Sequence, residues 1–250
     1  MSARKINIGL IGFGNVGAGM IKILRDKKAM LREKTGMEIV LKKVCDKDVS
    51  SKRGVSLDKS LLTANVSDIL DDPAIDIVVE LIGGINPARE FVTEALKKGK
   101  NVVTANKALL AHHGTDIFAL AQDRGKSVYF EASVGAGIPI IKSLREGLVA
   151  NNFAGVFGIV NGTTNFVLSR MSAENCGFLE ALKEAQKRGF AEKDPTLDIE
   201  GMDSAHKLVI LTYLCFGRMA RIGEVYVEGI SRVSLQDINY AKELGFEIKL

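Results

Sequence analysis

Ile6-Asn-Ile-Gly-Leu-Ile-Gly-Phe-Gly-Asn-Val-Gly17 is the stretch that decides the fold. Residues 6–11 form a short apolar run rich in β-branched side chains, which predicts a buried strand. The run leads straight into Gly12-Phe13-Gly14-Asn15-Val16-Gly17, a G-x-G-x-x-G pattern. A helical spacing follows, with Val16, Met20, Ile23 and Leu24 on one side, and it fades into Thr35-Gly36, a C-terminal cap. Strand, glycine loop and helix stand in the order that a dinucleotide's phosphates require. Gly12 permits the tight turn, Gly14 lets the backbone approach a pyrophosphate, and Gly17 lets helix and strand pack closely. The helix N-terminus then supplies N–H groups to the phosphates. A G-x-G-x-x-G alone also occurs in merely glycine-rich turns, so the flanking strand and helix carry the reading.

Working outward, the next strand covers residues 38–45 and ends at Asp46. An acid at that position holds ribose hydroxyls in sheets of this kind. Its spacing from Gly17 exceeds the usual ~20 residues because the first helix is long. Lys47, Lys52 and Arg53 follow, and a cation among them would instead hold a 2′-phosphate. NAD and NADP therefore both stay open, and ordinary solvated surface is the plain alternative. Residues 75–81 predict a strand closed by Gly83-Gly84, and residues 87–98 a helix with Pro87 at its start and Gly99 past its end. Residues 101–104 predict a strand opening into Ala105-Asn106-Lys107, and residues 127–130 another. Strands alternating with helices imply a doubly wound parallel sheet. Ligands of such sheets sit at the carboxyl ends of the strands, which sets Gly83, Thr104, Asn106 and Lys107 along one edge. A lysine at a helix start opposes the helix dipole, which favours a functional reading of Lys107 over a surface one.

Bulk properties narrow the class. The chain has 250 residues, 46% of them hydrophobic and 26% charged, which suits one large or two smaller globular domains. A net charge of +4 with scattered Lys and Arg argues against a nucleic-acid footprint. Cys45, Cys176 and Cys215 lack metal or disulfide spacing and read as reduced thiols of a cytoplasmic protein. No apolar run approaches the ~20 residues of a membrane span. The first one is too short and too glycine-rich for a secretory signal.

Past residue 130 comes Glu131-Ala-Ser-Val-Gly-Ala-Gly-Ile-Pro139, before a helix over 140–148. By composition it reads as a hinge between domains, although its carbonyls would also suit a hard cation. Residues 153–160 alternate and predict a strand that ends in Asn161-Gly-Thr-Thr-Asn165, a polar turn able to cap the next helix. Further helices are expected around Leu179 and Leu208 and over 235–244, with strands over 225–230 and 246–250. Between the two middle helices the chain crowds Glu192, Asp194, Asp198, Glu200 and Asp203 together, followed by Lys207. Pro195 and Gly201 punctuate this run, so residues 192–200 read as a loop. Asp203 and Lys207, four apart, share a helix face. A carboxylate beside an ammonium would grip an amino-acid-like substrate and move a proton. The bland reading is a surface ion pair beside a solvated acidic loop.

These motifs together resemble homoserine dehydrogenase over nearly the whole chain. The likeness rests on Gly12-Phe-Gly-Asn-Val-Gly17, Thr104-Ala-Asn-Lys107, Glu131 through Pro139, Asn161-Gly-Thr-Thr-Asn165 and, above all, Ala185 through Lys207. The resemblance implies a Rossmann domain over 1–134 followed by an α+β substrate-binding and dimerisation domain over 135–250. It implies NAD(P)-dependent interconversion of L-aspartate 4-semialdehyde and L-homoserine, a step of threonine, methionine and isoleucine biosynthesis, by a cytoplasmic homodimer. Lys207 would be the proton donor and Lys107 an assistant, while Glu192, Asp198 and Asp203 would hold the substrate. Gly12, Gly14, Asn15, Val16, Gly17, Asp46, Gly83, Thr104, Lys107 and Gly189 would contact the cofactor. Carbonyls of Glu131, Val134, Ala136 and Ile138 would hold sodium or potassium, which reverses the hinge reading. Members of the family continue well past residue 250, so the chain is expected to stop short within a strand. A non-catalytic nucleotide-binding module is the competing expectation.

Overall fold

β1 (Arg4–Ile11) pairs in parallel with both β2 (Met37–Cys45) and β4 (Ile77–Glu80), and so lies at the centre of the sheet. The computed structural model describes residues 4–51 and 53–250, so Lys52 lies outside the described residues. The chain divides into two compact units, Met1–Ile140 and Ile141–Leu250.

In the first unit six strands form one parallel sheet in the order β3-β2-β1-β4-β5-β6, with β3 (Leu62–Thr63), β5 (Asn101–Thr104) and β6 (Val128–Tyr129) completing it. That order reverses direction between β1 and β4 and opens a crevice at their carboxyl ends. The long predicted first helix is two helices, α1 (Asn15–Asp26) and α2 (Lys28–Thr35), broken at Lys27 and closed by a left-handed Gly36. α1 buries Gly17, Ala18 and Ile21, whereas Val16 and Ile23 are exposed, so the buried face differs from the expected one. α2 buries nothing, and its charged residues keep it on the surface. α3 (Ser67–Leu70) and β3 fill the stretch after Arg53 that carries no strong pattern. α4 (Ala88–Lys97) and α5 (Lys107–Asp123) complete the unit. Ile8, Leu10, Phe13, Ala18, Ile21, Val44 and Val79 form a core between α1 and the sheet.

The second unit is built from helices. The helix expected over 140–148 is α6 (Ile140–Lys142) running into a π turn (Ser143–Gly147). α7 (Gly162–Glu174) and α8 (Phe178–Lys187) pack on each other, and α9 (Thr196–Ile199) is a short helix inside the acidic loop. α10 (Met202–Phe216) carries Asp203 and Lys207, and α11 (Leu235–Glu243) packs on α7. Their core gathers Val167, Leu168, Met171, Ala181, Ala185, Ile230 and Ile238. The strands expected over 153–160, 225–230 and 246–250 join no ladder among the described residues. Alternating side chains favour extended backbone, but a strand needs a neighbour to accept its hydrogen bonds. Among the described residues no helix is long and apolar enough to cross a membrane.

Candidate active site

The glycine loop has the shape its three glycines allow. Gly12 has φ +106°, and a Cβ there would lie 2.7 Å from the Leu81 carbonyl. A Cβ on Gly17 would lie 2.2 Å from the Gly12 carbonyl oxygen, so α1 sits on the loop at backbone distance. A Cβ on Gly14 would meet nothing within 4 Å. Gly14 therefore faces open space, and α1 starts there with no side chain capping its N-terminus. Asn15 and Val16 follow on the exposed first turn. Open space over a glycine at an uncapped helix start fits a pyrophosphate.

Asp46, at the end of β2, accepts a 2.6 Å hydrogen bond from the Phe13 amide and a 2.9 Å bond from the Asp48 amide. Its carboxylate thus fixes the glycine loop from below. Arg53 stands 3.6 Å from Asp46 and 3.2 Å from Asp48, and its buried Nε has no hydrogen-bond partner among the described residues. Hydroxyls and amides of Ser51 and Ser50 hold the Asp48 carboxyl well below the usual carboxylate range. An acid at Asp46 and a guanidinium at Arg53 together fit a ribose with or without a 2′-phosphate. Burial pushes the neighbouring Cys45 thiol up, and Asp46 pushes it further, which disfavours a nucleophilic thiolate.

The next two strand ends are tied together by a residue the sequence did not single out. Glu80 accepts from the amides of Ile82 at 2.8 Å and Gly83 at 3.2 Å, and from the Thr104 hydroxyl at 2.6 Å. The Asn106 amide donates to Thr104 Oγ1 at 3.0 Å, and its Nδ2 donates to the Gly84 carbonyl at 2.6 Å. Asn106 Oδ1 caps α5 by accepting from the Leu109 amide, which places Lys107 in the first helical turn. Gly83, Thr104, Asn106 and Lys107 thus share the edge expected of them.

In the second unit a polar cluster forms around Asn161. Its Nδ2 donates to Asp198 Oδ1 at 2.7 Å and to Asp203 Oδ2 at 2.8 Å. Its Oδ1 accepts from the Thr164 amide at 2.8 Å, which caps α7 and locks the side chain. The Thr163 hydroxyl donates to the Phe190 carbonyl at 2.6 Å, with Asp198 Oδ2 3.0 Å away. Lys207 Nζ donates to Asp203 Oδ2 at 2.5 Å and to the Val160 carbonyl at 2.6 Å. Side-chain exposures of 15% for Lys207 and 7% for Asp203 separate this pair from an exposed surface bridge. An ammonium has three N–H donors, and two are committed here, so one remains for an incoming oxygen.

Asp198, Asp203 and Lys207 are therefore brought together, with Asn161 as the link. Among the described residues Asp198 is linked to Lys207 through Asn161 and Asp203. Glu192 is exposed on the loop before α9, and its backbone carbonyl accepts from Gln186. Gly189 is exposed just past α8, with φ +78°. In the first unit a tight turn (Glu131–Ser133) leads to Gly135 at φ +61° and Gly137 at φ +90°. The turn is closed by the Ile138 amide donating to the Gly135 carbonyl at 2.8 Å, and the Ile138 carbonyl accepts from the Ile140 amide at 2.8 Å. Among the described residues no three His, Cys, Asp or Glu gather as a metal site. Glu80 and the bridging role of Asn161 are the features missed from sequence. The only signal for Asn161 was its place in the polar turn before α7.

Comparison with known proteins gives a consistent result. The family model described as homoserine dehydrogenase matches residues 139–250, and the model of its NAD binding domain matches residues 12–131. A homoserine dehydrogenase of Bacillus subtilis is 45% identical over 247 residues, covering 99% of this chain and 57% of that protein. The crystal structure of a homoserine dehydrogenase from Thiobacillus denitrificans is similar with a TM-score of 0.93 at 49% identity, over 99% of this chain and 57% of that one. A hyperthermophilic archaeal homoserine dehydrogenase solved in complex with NADPH has a TM-score of 0.78 at 28% identity, over 92% of this chain and 75% of that one. The chain spans about 57% of the length of the first curated relatives it matches.

Proposed function

Since the chain belongs to the homoserine dehydrogenase family, we propose that it interconverts L-aspartate 4-semialdehyde and L-homoserine by hydride transfer with NAD(P)H. The observation that carries the reading is the Asn161–Asp203–Lys207 cluster, a partly buried ammonium held with one donor to spare. A bound nicotinamide supplies the hydride. As the aldehyde carbon receives it, the oxygen gains alkoxide character, and the remaining N–H of Lys207 stabilises and then protonates it. Asp203 and the Val160 carbonyl keep that ammonium in place. Glu192, Asp198 and Asp203 hold the substrate, with Glu192 toward its amino group, and Lys107 assists at the carbonyl.

The cofactor residues of this reading are those of the glycine loop, with Asp46, Gly83, Thr104 and Lys107 in the first unit and Gly189 in the second. Arg53 beside Asp46 supports NADP, as does the NADPH bound by the archaeal relative. The carbonyls of Glu131, Val134, Ala136 and Ile138 hold sodium or potassium. The working form is a cytoplasmic homodimer, and residues 1–134 are the nucleotide-binding domain, with catalysis and pairing assigned to 135–250. The test is nicotinamide absorbance with aspartate semialdehyde, first with NADPH and then NADH. Oxidation dependent on the semialdehyde supports the enzyme reading. Saturable cofactor binding without turnover favours a nucleotide-binding module instead.

A further inference from the structure

Glu80 is 0% exposed, and among the described residues no cation pairs with it. Burying a carboxylate without a counter-charge is costly, and three hydrogen-bond donors offset only part of that. The donors are the Ile82 and Gly83 amides and the Thr104 hydroxyl. They belong to the turn after β4 and the end of β5, two separate segments of the crevice edge. β4 and β5 lie in the second mononucleotide half of the sheet, beyond the reversal in strand order, which is the nicotinamide side.

We propose that Glu80 is a positioning residue for the nicotinamide end of the cofactor, and that its negative charge makes the site favour the oxidised ring over the reduced one. This rests on the dinucleotide reading above. Loss of a hydride removes one proton and two electrons from the reduced ring and leaves it with one positive charge. A fixed anion at the end of β4 attracts that cationic ring and is indifferent to the neutral one. Phosphates and ribose are common to both forms, so contacts with them cancel in the ratio of affinities. Glu80 reaches the cofactor through the Gly83 turn and Thr104, which it holds in one arrangement.

The test uses the intact chain with Glu80→Gln, which keeps the shape and removes the charge, and Glu80→Asp, which keeps the charge and shortens the reach. Dissociation constants are measured for NADPH by fluorescence and for NADP+ by competition, and amide exchange is followed at Ile82 and Gly83. Glu80→Gln is expected to weaken NADP+ by roughly tenfold and NADPH by no more than about threefold. Glu80→Asp is expected to keep the ratio of the two constants within about twofold of the parent, while exchange at Ile82 and Gly83 rises at least roughly tenfold. Equal weakening of both forms in Glu80→Gln, or none, overturns the proposal and leaves the cofactor site standing. Should Glu80→Gln fail to fold, unchanged exchange at the two amides in Glu80→Asp overturns it. A parent protein that binds neither form removes the cofactor reading and the proposal together.

Discussion

Lys207 and Asp203 show how one spacing and one turn make a shielded ion pair. Four residues of separation place them on the same face of α10, and that much follows from helix geometry. Their burial, and the Val160 carbonyl that shares the ammonium, depend on chain 47 residues away and leave no local trace. Lys207→Ala should lower semialdehyde turnover at least ~10²-fold while NADPH affinity stays within a few-fold, as read by steady-state kinetics and fluorescence titration. Turnover like the parent's would remove Lys207 from the proton-donor role. Asn161 spans two carboxylates and caps α7 at once. Asn161→Ala should therefore raise KM for the semialdehyde and cut kcat by roughly tenfold, since it frees both acids to turn. An unchanged kcat and KM would reduce Asn161 to a helix cap. The sequence marked Asn161 only as part of a polar turn, because its partners at Asp198 and Asp203 lie 37 and 42 residues on.

Elements were legible where the pattern is local. β1, the glycine loop, the β4 and β5 strands and their helices all follow from apolar runs and glycine punctuation. β3 and α3 were not, since two residues of strand and four of helix carry too little periodicity. The strands expected in the second unit failed differently: residues 153–160 have the alternation but no described neighbour to pair with. Within the loop the glycines divide into two kinds, and a matched pair of variants separates them. Gly17→Ala sets a methyl 2.2 Å from the Gly12 carbonyl and should destabilise the first unit by about 1–3 kcal/mol. Gly14→Ala adds a methyl to open space, so it should melt as the parent does and bind NADPH roughly tenfold more weakly. Thermal melts and cofactor titration read both, and equal melting temperatures for the two variants would contradict the packing described.

At the scale of the whole molecule, the family was recognisable because five motifs fall in order across both units. What no motif carried was the state of the surface. Phe157 is 99% exposed, and Tyr226 and Phe246 are also largely uncovered. Solvent contact on large aromatic side chains is unfavourable, and the proposed homodimer would cover Phe157. Phe157→Ser should shift sedimentation from dimer toward monomer. A parent that sediments as a monomer at micromolar concentration would remove the proposed pairing.

The carbonyl of Val160 gives that shift a chemical consequence. It steadies the Lys207 ammonium and also ends the segment from which Phe157 projects. In the proposed dimer, whatever clasps that segment from outside would also stiffen the anchor of the Lys207 ammonium. Catalytic output per chain would then climb with protein concentration until every copy is paired, so a dilution series would read the assembly through the chemistry.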